Sequence, residues 1–434
     1  MKSIHRALRA AAAMMILLSA AILSACSFYS FSVDSLIRPP KLTGENALIE
    51  QAFEKAVNAE VLLISPIAGD YRTAFVPFDV DADGEDETLV FYAKKESPNE
   101  AHLHLLKYDG ETWRSAGDIT GNGSEVYSVA FYNFDQQASY EVAVCWTVSD
   151  TRRNKTLSLY KLEDVGEAPE MIPLSVIQLY DYLILDFDSD GQPELMYLMD
   201  NSSDPEQPFK VSMIKMDKSD EAFHFICELS LHQSVSLPVQ MCYDVRVQRY
   251  TLYIDCLNTD GSYMTEIIYY DTENEVFSRM QNEAQAELSE LTVRNTQVYC
   301  SDIDNDRLIE VPLQKEWIGS TVLYPEAENA LPMYITEFHK RRDRELIPLA
   351  SSYFYAPDGT FRMKTDAFMD SYVAVYDAVQ MTMSFYATDE TDQPIFMLKY
   401  VPFAEKEAAF YVEITEPEMT QFTESFIKSF AEIL

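Results

Sequence analysis

The amino-acid sequence predicts a mainly β protein, a β-propeller of about five four-stranded blades followed by a small α/β module. Three observations lead to this prediction. Apolar and polar residues alternate over many short runs, and the chain has 27 Tyr and 24 Phe, which suit half-buried strands. A carboxylate-rich loop between two such runs recurs along the chain at near-equal intervals. Each interval also holds material for four short strands, as a propeller blade does.

The first copy of this loop, residues 79–87 (loop 79), reads DVDADGEDE. Carboxylates stand at its positions 1, 3, 5 and 9, and Gly84 at position 6 permits a tight turn. Oxygen ligands at these spacings can converge on a hard cation, so the sequence predicts bound Ca²⁺. The flanking runs, 73–78 and 88–92, alternate like strands, and position 12 is Val90 where an EF-hand has glutamate. An EF-hand is therefore excluded.

Further copies begin at residues 133, 186, 244 and 302 and are named loops 133, 186, 244 and 302. Their spacing of roughly 55 residues is typical of blades or solenoid units. Loop 186 keeps every feature of loop 79, and loop 302 loses only the glycine, which Arg307 replaces. Loops 133 and 244 are predicted to be metal-free, because uncharged or basic residues stand where ligands would be: Asn133, Gln137, Arg246, Gln248 and Leu252.

The first interval shows the expected four strands, over residues 87–92, 102–108, 112–114 and 125–132. His102 and His104 alternate on the second of them and so share one face, which is expected to be exposed.

Strand-flanked loops of the form D-x-D-x-D-G-x-x-[DE] at this period resemble the FG-GAP/VCBS repeat of integrin-α-type β-propellers, over roughly residues 65–350. The resemblance implies Ca²⁺ held by side chains at positions 1, 3, 5 and 9 and by the carbonyl at position 7. In loop 302, Arg307 disfavours the turn and adds a cation, and both effects act against metal binding there. In every loop, the alternative is that the carboxylates only hydrogen-bond the turn backbone. The implied ligands are Asp79, Asp81, Asp83, Glu85 (carbonyl) and Glu87; Asp186, Asp188, Asp190, Gln192 (carbonyl) and Glu194; and Asp302, Asp304, Asp306 and Glu310.

The N-terminus resembles a bacterial lipoprotein signal peptide. A basic start is followed by a short apolar run and by Leu23, Ser24, Ala25 and Cys26, which form a lipobox. Residues 1–25 are expected to be removed, and lipid on Cys26 is expected to hold the protein on the extracytoplasmic face of the cell membrane. The alternative is an uncleaved helix with an incidental cysteine.

The remaining chain divides into four predicted parts. Residues 26–43 form a lipidated tether, 44–60 an amphipathic helix, 61–350 the propeller and 351–434 the α/β module, with a closing helix from Pro417 that places Ile433 on its apolar face. Alternatively, the C-terminal part supplies strands to the last blade. The basic run at 339–344 is interpreted as a solvated strand end or a counter to nearby acids, and alternatively as a site for an anionic partner.

Composition and motif content limit the classes of function that fit this sequence. A net charge of −38 excludes nucleic acid as a partner. The cysteines other than Cys26 lie mostly in apolar runs without a CxxC pair and are predicted to be free core thiols. The chain has no HExxH, GxSxG or Walker motif. The sequence favours a non-enzymatic binding module, with structural Ca²⁺, for an envelope protein or a glycan. The alternative is a polysaccharide hydrolase or lyase that uses carboxylates in the propeller channel.

Overall fold

A computed structural model describes residues 44–148, 151–165, 168–199, 209–246, 249–324, 329–366, 368, 370–388, 393–404, 407–414, 428–429 and 431–433. The predicted signal peptide, the lipidated Cys26 and the tether lie outside the described residues. Among the described helices, none has the length and apolar character needed to cross a membrane.

Strands make up most of the described chain, which confirms the prediction of a mainly β protein. One α-helix, α1 (Glu45–Val57), precedes them, and a 3₁₀-helix (Leu288–Thr292) follows the seventeenth strand. The strands are β1 Val61–Leu63, β2 Phe75–Phe78, β3 Glu87–Lys94, β4 Ser97–Tyr108, β5 Trp113–Thr120, β6 Glu125–Tyr132, β7 Glu141–Val148, β8 Thr151–Val165, β9 Ala168–Leu179, β10 Asp181–Leu185, β11 Glu194–Met199, β12 Lys210–Asp217, β13 Ala222–Ser230, β14 Val235–Arg246, β15 Arg249–Asn258, β16 Tyr263–Asp271, β17 Val276–Arg279, β18 Glu310–Leu323, β19 Leu331–Arg342, β20 Glu345–Tyr355, β21 Phe361–Lys364, β22 Tyr372–Asp377, β23 Thr382–Ala387, β24 Phe396–Ala404, β25 Glu407–Ile414 and β26 Ala431–Ile433.

Consecutive strands pair into successive antiparallel meanders, the sheet type of a β-propeller. A five-stranded sheet contains β1 to β5, and three four-stranded sheets follow, β6 to β9, β10 to β13 and β14 to β17. The carboxylate loops 79, 133 and 186 connect the strand pairs β2/β3, β6/β7 and β10/β11. Each of these loops therefore leads directly into the next strand of the same sheet.

Hydrophobic side chains pack between neighbouring sheets. One cluster joins the first and second sheets through Phe91 and Trp146, another joins the second and third through Phe134 and Leu195, and a third joins the third and fourth through Phe187. A strand between two such clusters is buried on both faces, as β7 is over all but its last residue. Burial of both faces explains why these strands are runs of apolar residues without alternation.

The last sheet differs from the predicted fifth blade. It has nine strands in the order β25-β24-β23-β22-β18-β19-β20-β21-β26, in which β18 and β22 run parallel. The predicted boundary between residues 350 and 351 lies inside β20, and strands from both sides of it share this sheet. Ile433, predicted on a helix, lies in β26, which pairs with β21. Residues 417–427 of the predicted closing helix lie outside the described residues.

Helix α1 covers one face of the first sheet. Its Phe53 is buried and makes edge-on ring contacts with Tyr92 at 5.2 Å and His104 at 5.7 Å. The helix ends at Asn58, whose left-handed conformation (φ 46°) is usual at a helix C-terminus. The prediction that His102 and His104 are exposed is wrong, because this helix lies over their face and both are buried.

Candidate cation loops and a binding cleft

The carboxylate loops share one backbone geometry. In each, the position-9 glutamate is buried and its Oε2 accepts a hydrogen bond from the position-2 backbone N–H. The N–O distances are 2.9 Å for Val80 to Glu87, 2.7 Å for Phe134 to Glu141, 2.7 Å for Phe187 to Glu194 and 2.8 Å for Ile303 to Glu310. The glutamate therefore closes the loop onto the start of the following strand.

The position-1 aspartate holds the turn at position 6. Gly84 N–H donates to Asp79 Oδ2 at 3.1 Å, and Gly191 N–H donates to Asp186 Oδ2 at 2.9 Å. Both glycines have positive φ, of 95° and 87°. Arg307 adopts the same left-handed region, with φ 69°, and donates its N–H to Asp302 at 2.8 Å. Loop 302 thus keeps the turn despite its arginine.

The structure brings most predicted ligands together. One carboxylate oxygen from each of Asp186, Asp188, Asp190 and Glu194 lies within 4.8 Å of the others. The corresponding groups in the other loops are smaller: Asp79, Asp81 and Glu87 in loop 79, and Asp302, Asp304 and Asp306 in loop 302. Of the residues predicted to offer a carbonyl, Glu85 is exposed, whereas Gln192 is buried and its side-chain amide donates to the Met216 carbonyl at 2.6 Å.

A lysine ammonium lies among these carboxylates, and the sequence analysis missed it. In loop 186, Lys215 Nζ lies 2.7 Å from Asp188 Oδ2, 2.9 Å from Asp190 Oδ2 and 2.5 Å from Glu194 Oε1. The other two loops repeat this arrangement. Lys107 contacts Asp81, lies 3.0 Å from Asp83 and 3.4 Å from Glu87, and Lys340 lies 2.6 Å from Asp304, 2.5 Å from Asp306 and 3.5 Å from Glu310.

Strand register explains the repetition. Lys340 on β19 is the direct cross-strand partner of Glu310 on β18. Leu195 pairs with Ile214, so the next step of the antiparallel ladder puts Lys215 beside Glu194, and Lys107 stands beside Glu87 in the same way. Directly opposed side chains start about 5 Å apart, and a lysine stem is long enough to reach into the adjoining loop.

Electrostatics keep these lysines charged. Burial lowers the pKa of Lys215, but hydrogen bonds from its ammonium to Asp188, Glu194 and Asp190 outweigh this and raise the pKa well above the usual lysine value. The pKa of Lys107 rises for the same reasons, and that of Lys340 rises mainly through its hydrogen bonds to Asp304 and Asp306. Burial raises the pKa of the position-9 glutamates Glu87, Glu194 and Glu310.

Loop 133 lacks this arrangement. Lys161 stands across the ladder from Glu141, since Val142 pairs with Tyr160. Its ammonium instead lies 2.6 Å from Glu221 and 3.6 Å from Glu163. Burial, together with the nearby charge of Asp135, raises the pKa of Glu141 to about 7.

Loop 244 does not exist as a carboxylate loop. Asp244 lies in strand β14 and is buried, where it accepts a hydrogen bond from the Tyr253 hydroxyl at 2.9 Å. Arg341 Nη2 lies 3.8 Å from its other oxygen. In the basic run at 339–344, Arg341 and Lys340 therefore counter nearby acids, which is one of the two interpretations that the sequence suggested.

The predicted Ca²⁺ sites contain both suitable ligands and an unsuitable group. The oxygen set suits a hard cation, since Ca²⁺ takes 6–8 oxygen ligands. A lysine ammonium carries positive charge and has no acceptor, so it is not a calcium ligand and repels a divalent cation at the same place. With their lysines in these positions, loops 79, 186 and 302 do not fit Ca²⁺, and calcium binding stays a prediction of the sequence.

A cleft of about 690 Å³ lies where the fourth sheet meets the nine-stranded sheet. Its wall carries tyrosines and neutral amide side chains, and Asp358 supplies the one carboxylate among the described lining residues. Tyr324 and Tyr334 are 37% and 39% exposed. The other tyrosines and the amide residues that line it are Tyr263, Tyr355, Asn295, Gln297 and Gln314. Sequence reasoning missed this cleft because its residues come from separate segments of the chain.

The five described cysteines are free, and all except the half-buried Cys242 are buried. The prediction of free core thiols is confirmed for these residues.

Comparisons with known proteins add little. No protein-family model matches the chain, and no curated protein matches it. Among solved structures, the chain is similar to Sqt1 of Saccharomyces cerevisiae, with 9% identity and a TM-score of 0.31, over 75% of this chain and 81% of that one. A similarity of this size carries no argument about function.

Proposed function

We propose that this protein is a lipid-anchored, extracytoplasmic binding module, an FG-GAP/VCBS-type β-propeller that binds a neutral glycan in the tyrosine-lined cleft. The observation that carries the proposal is the composition of the cleft wall. Binding sites are usually concave, with a largely apolar or aromatic lining and a few placed polar groups.

The chemistry of the wall suits sugars. The C–H face of a pyranose ring packs against an aromatic ring, and Tyr324 and Tyr334 offer exposed rings on the same wall. The amides of Asn295, Gln297 and Gln314 each combine donors with an acceptor, as neutral hydroxyl groups require. An anionic ligand is disfavoured by the net charge of −38.

The same wall favours binding over hydrolysis. A glycoside hydrolase uses two carboxyl groups about 5 to 9.5 Å apart. Among the described lining residues of the cleft, Asp358 is the one carboxylate, so no second acid stands ready to pair with it there.

The test is glycan binding by the full-length protein in detergent. Isothermal titration with neutral cello-, malto-, manno- and chito-oligosaccharides should give saturable binding to at least one series. Tyr324→Ala and Tyr334→Ala should each weaken it by at least about tenfold, since a stacking ring is lost.

The matched control is Tyr411→Ala, which removes a tyrosine that is 51% exposed and does not line the cleft. It should leave the affinity unchanged. Absence of binding to all four series, or equal binding by the three variants, would contradict the proposal.

A further inference from the structure

The three complete carboxylate loops contain their own cation. In loops 79, 186 and 302, a lysine from the neighbouring strand places its ammonium against the carboxylates at positions 3, 5 and 9. The position-1 aspartate is engaged separately, by the backbone N–H of the turn.

We propose that these lysines replace the metal ion, so that loops 79, 186 and 302 are stabilised by an internal ammonium and not by Ca²⁺. This inference is independent of the proposed function.

The number of contacts fits an ammonium. A lysine ammonium has three N–H donors and no acceptor. Lys215 donates hydrogen bonds to Asp188 at 2.7 Å and to Asp190 at 2.9 Å, the length of charge-assisted hydrogen bonds, and its ammonium lies 2.5 Å from Glu194 Oε1. The ammonium therefore contacts as many carboxylates as it has donors.

Burial of the position-9 glutamate makes a nearby positive charge favourable. Glu194 and Glu310 are 1% and 0% exposed, and each uses one oxygen to accept a backbone N–H. The other oxygen of each faces the lysine, at 2.5 Å in loop 186 and 3.5 Å in loop 302. A buried carboxylate without a counter-charge is costly, and the lysine supplies that charge from within the chain.

Loop 133 shows that the placement of the lysine ammonium depends on the carboxylates of the loop. It has lost carboxylates at positions 1 and 5, where Asn133 and Gln137 stand. Lys161 occupies the equivalent ladder position, yet its ammonium pairs with Glu221 at 2.6 Å. The lysine is directed into the loop in the three cases where the carboxylates are present.

The test compares lysine variants of the full-length protein in detergent, with Ca²⁺ or with the chelator EGTA. Thermal unfolding of the wild type should give the same Tm in both, and isothermal titration should detect no Ca²⁺ binding. Lys215→Met keeps the apolar stem and removes the charge. It should lower the Tm by several degrees in EGTA, and Ca²⁺ should restore at least half of that loss and bind measurably.

Lys161→Met is the matched control. It removes a lysine at the same ladder position on the neighbouring strand, but loop 133 lacks the carboxylates at positions 1 and 5. It should gain no response to Ca²⁺. Lys340→Met, which removes the β19 ammonium that reaches loop 302, replaces Lys215→Met if the latter fails to fold in both conditions.

Two results would overturn the inference. One is a wild-type Tm that falls in EGTA and recovers with Ca²⁺, which would mean that metal displaces the lysines. The other is a lysine variant that unfolds like the wild type and gains no Ca²⁺ response.

Discussion

Arg294 and Asp255 form an ion pair in which both side chains are fully buried. Asp255 accepts hydrogen bonds from Arg294 Nη2 at 2.8 Å, from the Thr265 hydroxyl at 2.7 Å and from the Cys300 N–H at 2.8 Å. The backbone of Arg294 also exchanges two hydrogen bonds with Tyr263, a residue of the cleft wall. This pair therefore links the core of the fourth sheet to the segment that shapes the cleft.

Removing one member of the pair should be strongly destabilising. Arg294→Met leaves the Asp255 carboxylate buried without its counter-charge, so the free energy of unfolding should fall by about 3–5 kcal/mol. Chemical denaturation measures this change.

The double variant Arg294→Met/Asp255→Leu gives the coupling between the two residues. The double variant should lower the free energy of unfolding by at least about 1 kcal/mol less than the sum of the two single losses, because no lone buried charge remains. Lys95→Met removes one member of an exposed pair with Glu60 and should change stability by less than about 1 kcal/mol. Strict additivity in the buried pair would contradict this account.

The element that recurs along the chain is a carboxylate loop with the strand that follows it. Its internal hydrogen bonds connect residues at most seven positions apart, so its geometry persists in loop 302 although Arg307 replaces the glycine. The charge balance within each element depends on the next strand, which supplies a lysine to loops 79, 186 and 302 but directs Lys161 away from loop 133.

Glu141 in loop 133 should make stability depend on pH. Its pKa is raised from the ordinary 4.5 to about 7 in the folded protein, so between these values the folded state binds more protons than the unfolded state. The stability from protonated Glu141 is thus fully present below pH 4.5 and is lost as the pH rises toward 7. Glu141→Gln, which mimics the protonated form, should be more stable than the wild type at pH 8.

Denaturant unfolding between pH 4.5 and 8 measures the effect. The stability difference between Glu141→Gln and the wild type should increase with pH across this window. Glu316→Gln, an exposed change on β18, should leave the wild-type pH profile in place. A constant difference between Glu141→Gln and the wild type would rule out the assigned titration.

Across the whole molecule, successive meander sheets pack through shared hydrophobic clusters and end in a nine-stranded sheet. The cleft lies at the junction with this last sheet, which includes strands from both sides of the predicted boundary at residue 350. The proposed ligand site therefore depends on the C-terminal strands as well as on the meander sheets.

Lipid on Cys26 would hold this whole body at the membrane. Cys26→Ala should move the protein from the membrane fraction to the soluble fraction, or leave an unprocessed precursor, because the acceptor thiol is gone. Cell fractionation with labelling by a palmitate analogue measures both outcomes. Cys242→Ala, which changes a half-buried cysteine elsewhere, should stay lipidated and membrane-bound. Normal labelling of Cys26→Ala would refute the anchor.

The sequence by itself determined the β content, the meander repeat and the carboxylate loops, because these depend on side-chain period and on hydrogen bonds within about nine residues. Only the tertiary structure decided which charge each loop receives, since Lys107, Lys215 and Lys340 reach it through strand register. Packing of α1 buried His102 and His104, which alternation alone had suggested were exposed. The nine-stranded sheet and the cleft likewise arise from pairing between distant segments, and no local pattern in the chain specifies such pairing.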